Sequence, residues 1–117
     1  MNWYLIKIVY QIICGDGNHT AQFDEQLRLI TAGDEEEALD KATAIGYQEE
    51  ESFCNDKQQL VQWRFVNITE LYPVSKWVDG AEVHSQIREA EDGDAYSNFV
   101  HHKAFQLRKK NSLHSFL

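Results

Sequence analysis

The N-terminal segment constrains the fold more than any other part of the chain. Between residues 3 and 14, large apolar side chains occupy every second position, which is the pattern of a β-strand with one buried face. The residues of this apolar face are Tyr4, Ile6, Ile8, Tyr10 and Ile12. The opposite face is mixed, because it includes Lys7 and Gln11. The pattern therefore predicts a long strand that is well covered on one side and partly covered on the other.

A turn and a second alternating segment follow this strand. Gly15-Asp16-Gly17-Asn18 contains residues that reach positive φ at low cost, so the chain is expected to reverse direction here. Residues 22–32 alternate again, and the side that carries Asp24 and Arg28 is mostly polar. We interpret this segment as the return strand of an antiparallel hairpin with residues 4–13, and its polar side as the wet face.

An amphipathic helix is predicted over residues 35–45. Asp34 is suited to accept hydrogen bonds from the exposed amides of the first turn, and Glu37, three residues later, completes a capping box. The acidic first turn also complements the positive end of the helix dipole, so it requires no metal or substrate to explain it. Gly46 is a typical residue at which such a helix ends.

The second half of the chain has weaker periodicity. Residues 47–59 are polar and are interpreted as a loop, and an alternating strand begins at Val61. Its phase slips by one residue after Phe65, which is typical of a β-bulge, and Pro73 marks its end or an edge position. Asp79-Gly80 predicts a turn into a fourth strand.

That fourth strand is predicted from the alternation of Ala81, Val83, Ser85 and Ile87. A second helix is expected to begin near Asp94 as its cap. The apolar stripe of this helix is Tyr96, Phe99, Val100, Ala104 and Leu107. The predicted fold is thus α+β, a four-stranded mainly antiparallel sheet with two helices on one face, in the order ββαββα. Residues 1–110 are predicted to form a single domain, with residues 111–117 as a C-terminal tail that is free to dock on a partner subunit.

Several segments, in this order and spacing, resemble one known family. The segments are Trp3-Tyr4 with Lys7, residues 23–32, residues 35–42, residues 66–73 and Asp79-Gly80-Ala81-Glu82. Together they resemble the small bacterial family catalogued as the domain of unknown function 4288 (DUF4288). The resemblance implies a small bacterial α+β domain over about residues 3–90, and it implies no activity, cofactor or catalytic residue.

Charge and cysteine content limit the functions and the location. The net charge of −8 argues against binding to nucleic acid or to an anionic membrane, because both require a positive surface. Cys14 and Cys54 have no metal-binding spacing, and the N-terminus does not have the basic region of a signal peptide. These features predict a cytoplasmic protein with free thiols and no cofactor.

A partner or ligand contact is predicted around the Asp79 turn. Trp77 is the tryptophan expected to be exposed, and an exposed tryptophan is typical of binding surfaces, although it can also fold back on the edge of the sheet. The candidate contact residues are Trp77, Asp79, Glu82, His84, His101 and His102. An alternative is a divalent-metal or small-molecule site formed by these histidines with Glu82. Polar surface histidines are the competing interpretation.

A second alternative is an enzyme that uses a cysteine nucleophile. Cys14 lies beside the Gly-Asp-Gly turn, and His19 follows five residues later, so a thiolate–imidazole pair is sterically conceivable. No nucleophile elbow, phosphate-binding loop or dinucleotide fingerprint accompanies the pair. A small buried thiol without a catalytic role is the competing interpretation. No catalytic residue is therefore assigned.

The C-terminal residues predict self-association. Leu107, Leu113, Phe116 and Leu117 form a terminal apolar group that must dock on its own domain or on a copy, since soluble proteins avoid such exposed patches. The neighbouring basic run, residues 108–110, is complementary to the acidic helix start. The expected function is a non-catalytic interaction module, and the expected assembly is a homodimer.

Overall fold

The computed structural model describes the backbone of residues 1–114. The described chain divides into two compact units, residues 1–85 and a second unit that begins at Gln86. The elements are β1 (Asn2–Cys14), β2 (Gln22–Ala32), α1 (Glu35–Gln48), β3 (Glu51–Cys54), β4 (Leu60–Val74) and α2 (Gly93–His114). The predicted α+β class is confirmed, as are the four-stranded antiparallel sheet, the two helices and the order ββαββα.

The sheet has the strand order β2-β1-β4-β3, and every neighbouring pair is antiparallel. In the predicted β1–β2 hairpin the pairing runs from Asn2 opposite Ala32 to Ile12 opposite Gln22, which confirms that prediction. The longest strands, β1 and β4, lie at the centre of the sheet. This arrangement leaves β2 and the short strand β3 as the two edges.

The face of the sheet that packs against α1, which we call the closed face, holds the core. The predicted apolar side chains of β1 face this way, and Ile6 and Ile8 are completely buried. Ala38 and Ala42 of α1 pack on them, because small side chains allow the helix to approach the sheet closely. Trp3, Lys7, Val9 and their neighbours point to the other side of the sheet, which we call the open face.

Helix α1 begins as predicted and ends later than predicted. The Asp34 carboxylate accepts a hydrogen bond from the Glu37 amide at 2.8 Å, while the Glu37 carboxylate accepts one from the Gly33 amide at 3.0 Å. Gly46 does not end the helix, which continues to Gln48. Gly46 is instead a packing residue: its carbonyl accepts a hydrogen bond from the Tyr10 hydroxyl at 2.8 Å, and a Cβ at this position would meet the Phe65 ring.

The phase slip predicted in β4 is confirmed. The pairing of β1 with β4 shifts between Lys7 and Ile8 and again between Val9 and Tyr10. These two irregularities allow Phe65, opposite Tyr10, and Ile68, opposite Ile8, to share the closed face with α1. The change of phase in the sequence of β4 thus corresponds to bulges, which keep apolar side chains on the closed face along the whole strand.

The predicted fourth strand at residues 81–87 is wrong. The chain does turn at Asp79-Gly80, where Gly80 has φ of +83° and the Ala81 amide bonds to the Val78 carbonyl, but no strand follows. Ile87 is 96% exposed. The alternation was too weak to form a strand, because Ala81 and Ser85 supply little apolar area to bury.

The fourth strand is β3, within the segment that was predicted to be a loop. β3 pairs with the start of β4 across a turn in which Asn55 Oδ1 accepts from the amides of Lys57 and Gln59, and Gln58 has φ of +59°. Phe53 stacks on Trp63 with ring centres 6.0 Å apart. All four residues of β3 are exposed, so this edge strand lacks the hydrophobic periodicity that identifies a strand in a sequence.

The cap of helix α2 lies two residues before the predicted one, and the helix begins at Gly93. Asp92, rather than Asp94, accepts hydrogen bonds from the Ala95 and Tyr96 amides, and Asp94 lies in the first turn. The helix includes residues 111–114, which were predicted to begin the tail. Phe116 and Leu117 lie outside the described residues. The placement of both helices on one face and the single domain over residues 1–110 stay predictions.

Candidate interaction surfaces

The open face carries more apolar surface than the sequence suggested. Strand β2 turns its polar side, including Asp24 and Arg28, toward the closed face, where these residues pair with Tyr10 and Ile6 of β1. Its apolar side lies on the open face, so the prediction that the polar side is the wet one is wrong. Leu27 is 52% and Leu29 49% exposed.

The exposure of the apolar side of β2 follows from the way in which this strand pairs with β1. Ile30 and Ala32 at the end of β2 must be buried beside Tyr4 and Asn2, and the period of two then fixes every other residue of the strand. Phe23, opposite Gln11, consequently lies on the open face with more than half of its surface exposed. The apolar members of this face include Trp3, Leu5, Val9, Phe23, Leu27 and Leu29.

A charged cluster interrupts the apolar residues of the open face. Lys7 Nζ lies 3.1 Å from a Glu70 carboxylate oxygen and 3.9 Å from one of Glu25, so two carboxylates share one ammonium group. The hydrogen bond from Lys7 lowers the pKa of Glu70 and raises that of Lys7. Glu25 has the longer contact, and its side chain is 62% exposed.

Two of the predicted contact residues cover one end of the open face. Trp77 packs edge-on against Trp3 with ring centres 5.3 Å apart, and His84 lies over Tyr72 at 3.7 Å. Both side chains stay exposed. Trp77 therefore combines the two interpretations of the sequence, since it folds back on the sheet and still presents half of its surface to solvent.

The segment after the Asp79 turn forms one wall of a shallow cavity of about 280 Å³. Its lining residues are Tyr72, Pro73, Glu82, Val83, His84 and Ser85. The structure thus brings Glu82 and His84 together, and Asp79 lies in the exposed turn. Among the described residues, no group of three or more His, Cys, Asp or Glu side chains is positioned to hold a metal ion.

Helix α2 presents an apolar stripe on its surface. Every described side chain of the helix is exposed, including Tyr96, Phe99, Val100 and Leu107 of the predicted stripe. At 100° per residue these four lie within an arc of about 100°, and Lys103 lies inside that arc. The Lys103 ammonium is 5.6 Å from the centre of the Phe99 ring, so this lysine lies against the stripe.

The adjacent histidines of α2 lie outside the stripe. His101 and His102 are exposed, and their positions on the helix project about 100° apart. The predicted oligomer contact Leu107 is 63% exposed. Leu113 lies in the last turn of the described helix, and nothing is described of its side chain.

The Cys14 and His19 pair is not arranged as nucleophile and base. His19 Nε2 accepts a hydrogen bond from the Cys14 backbone amide at 3.0 Å, and Nδ1 lies 2.8 Å from the Thr20 carbonyl oxygen, to which it must donate. Both ring nitrogens are thus engaged with backbone groups. In this geometry the imidazole links the backbone at the two ends of the turn after β1.

A polar network at the end of the closed face was not identified from the sequence. Arg28 bonds to the Glu49 carboxylate at 2.6 Å and to Gln26 Oε1, and Gln26 in turn donates to Asp24. The Trp63 indole also donates to Asp24, at 3.1 Å. These bonds join β2 to the end of α1 and to β4. The sequence did contain a sign of this network: Asp24, Gln26 and Arg28 are the polar side of β2, which we interpreted as facing solvent.

The described chain is a small α+β domain, in which a helix covers one side of a four-stranded antiparallel sheet, followed in sequence by a long amphipathic helix. The model of the family described as "Domain of unknown function (DUF4288)" matches residues 3–85, and the chain belongs to this family. The match ends where the first compact unit ends. Neither the curated proteins nor the solved structures contain a match to the chain. Neither described helix combines the length and apolar character needed to cross a membrane.

Proposed function

We propose that the protein is a non-catalytic, self-associating interaction module that forms a homodimer through α2. The observation that carries the proposal is the exposed apolar stripe of this helix, with Phe99 and Leu107 both more than half exposed. Contiguous apolar surface of this kind is typical of protein–protein contacts. Leu107, Leu113, Phe116 and Leu117 are the proposed oligomer contacts.

The intrinsic properties of α2 support this proposal. An isolated helix gains little stability from propensity alone, and most helical stability in proteins comes from packing an amphipathic face. A partner that buries Tyr96, Val100 and Leu107 supplies that packing. Twofold homodimers are the commonest soluble assemblies, so a second copy of the chain is the simplest partner.

Charge and composition support the remaining parts of the proposal. The net charge of −8 favours a protein partner over nucleic acid or an anionic membrane. Cys14 and Cys54 are both free, which favours a reducing compartment such as the bacterial cytoplasm. Trp77, Glu82 and His84 border the open face, and we include them in the proposed contact region together with Asp79 of the adjacent turn. The contact role expected for His101 and His102 stays a prediction, because both lie outside the stripe that carries the proposal. No described geometry supports the metal-binding or the Cys14 enzyme alternative.

Sedimentation velocity of two matched variants tests the proposal. Leu107→Glu places a charge in the stripe, whereas Phe105→Glu places one on the opposite side of the same helix, where the side chain is equally exposed. We expect the parent and Phe105→Glu to sediment as dimers at tens of micromolar and Leu107→Glu to sediment as a monomer. A monomeric parent, or equal behaviour of the two variants, would contradict the proposal.

A further inference from the structure

We propose that α2 of one copy lies across the open face of the sheet of a second copy, with Lys103 directed at Glu25, and that the exchange is reciprocal. This inference rests on the proposed self-association and specifies its second surface. The helix stripe supplies one half of the contact, and Leu27, Leu29 and Val9 supply apolar area for the other.

The two surfaces agree in length. Helix α2 has 22 residues and is about 33 Å long at 1.5 Å per residue. Strand β2 has 11 residues and spans about 37 Å at 3.4 Å per residue. Within these elements, the stripe from Tyr96 to Leu107 is about 17 Å long, and the apolar residues of β2 from Phe23 to Leu29 span about 20 Å, so the two apolar surfaces are of similar length.

The two surfaces also agree in the order of apolar and charged groups. On the helix, Lys103 lies between Val100 and Leu107, and on β2 the cluster member Glu25 lies between Leu27 and Phe23. Lys7 is already held at 3.1 Å by Glu70, which leaves Glu25 with only the 3.9 Å contact. A second ammonium group from Lys103 satisfies this carboxylate.

Arg64, a cationic residue of the open face, lies on a different strand from Glu25. Arg64 lies on β4, opposite Gln11 of β1, whereas Glu25 lies on β2, opposite Val9 of β1. The two residues therefore lie on different strands, with β1 between them. An approach of Lys103 along β2 therefore meets Glu25 on a strand that does not carry Arg64.

A second copy is the occupant because the chain exposes both members of the complementary pair. The stripe of α2 is exposed in the described structure, and so are Leu27 and Leu29. Two copies related by a twofold axis each contribute one helix and one sheet face. The twofold axis produces two equivalent contacts, and each of them buries one helix stripe against one open face. In each contact Lys103 of one copy lies against Glu25 of the other.

Charge reversal in complementary positions tests the inference on the full chain. Glu25→Lys and Lys103→Glu each place like charges together, so each homodimer should dissociate at a concentration about tenfold higher than the parent. An equimolar mixture of the two variants should form heterodimers of nearly parental affinity, because a heterodimer restores opposite charges at both contacts. Sedimentation equilibrium with one variant fluorescently labelled measures this directly.

The outcomes separate this inference from the proposed function. A parent that is monomeric at all concentrations would overturn both. A parent dimer that both substitutions leave unchanged, or a mixture that forms no heterodimers although each variant has weakened, would overturn the reciprocal contact alone. As a control for surface charge, Leu39→Glu on the outer side of α1 should leave the parental dimer intact, whereas Leu29→Glu on the open face should dissociate it.

Discussion

The two faces of the sheet share the same strands and differ in what covers them. On the closed face, Ile6 and Ile8 are fully buried under α1, and even the polar residues of β2 are tied into a network through Arg28. On the open face, Leu27 and Leu29 are half exposed and the charges are only partly paired. The closed face therefore determines the stability of the fold, while the open face is available for contact. The following substitutions test that division.

The largest effect is expected from a cavity in the closed face. Ile6→Ala removes a completely buried side chain beneath α1 and should lower the free energy of unfolding by about 2–5 kcal/mol. Leu29→Ala on the open face should lower it by less than about 1 kcal/mol in a monomer, since half of that side chain is already in solvent. Urea unfolding at low protein concentration measures both. Equal losses would show that the two faces are buried alike.

Crowding the contact between α1 and β4 should produce the next largest effect. Gly46→Ala forces a methyl group into the Phe65 ring, and such overpacking costs about 1–3 kcal/mol. Gly93→Ala at the start of α2 meets no atom within 4 Å, so this control should leave stability unchanged or raise it slightly. Thermal unfolding of the two variants distinguishes them. A stable Gly46→Ala variant would contradict the close approach of helix and sheet.

Removal of the α1 cap should have a moderate effect. Asp34→Ala deprives the Glu37 amide of its acceptor and should cost about 0.5–2 kcal/mol. Asp40→Ala, an exposed substitution within the same helix, provides the matched control and should cost less. If the denaturation midpoints of Asp34→Ala and the parent coincide, the capping interaction does not stabilise the protein.

The smallest effect is expected from the charged cluster of the open face, and it should depend on pH. The hydrogen bond from Lys7 lowers the pKa of Glu70 in the folded state, so its contribution to stability is present above the ordinary glutamate pKa of about 4.3. That contribution is lost as pH falls through the lowered pKa. Lys7→Met should therefore make the acid loss of stability shallower, whereas Lys57→Met in the β3–β4 turn should leave it unchanged. Identical acid profiles for Lys7→Met and the parent would contradict this pairing.

The sequence predicted the elements whose pattern is set by burial. The alternation of Tyr4 to Ile12 identified the central strand and its buried side, and the residues around Asp34 identified the start of α1. Both are cases in which local pattern and tertiary packing agree. The phase slip after Phe65 likewise predicted the distortion of β4, because a bulge changes which side chains face the core.

The elements that were missed depend on pairing rather than on pattern. Strand β3 consists of four exposed residues that pair with β4 across the Asn55 turn, so its sequence has no hydrophobic periodicity from which a strand could be predicted. The wet side of β2 was assigned from polarity, whereas burial of Ile30 fixes the register and sends Leu27 to the open face. Among the candidate contacts, Trp77 was correctly expected to be exposed, but its packing on Trp3 joins residues far apart in the chain.

The central claim is that the open face becomes buried when two copies associate. Methyl relaxation caused by a soluble gadolinium chelate reports the exposure of individual leucine side chains over a dilution series. We predict that Leu27 and Leu29 are accessible to the chelate at low concentration and protected at high concentration, while Leu39 on α1 stays accessible throughout. Equal accessibility of Leu27 and Leu29 at both ends of the series would contradict the claim.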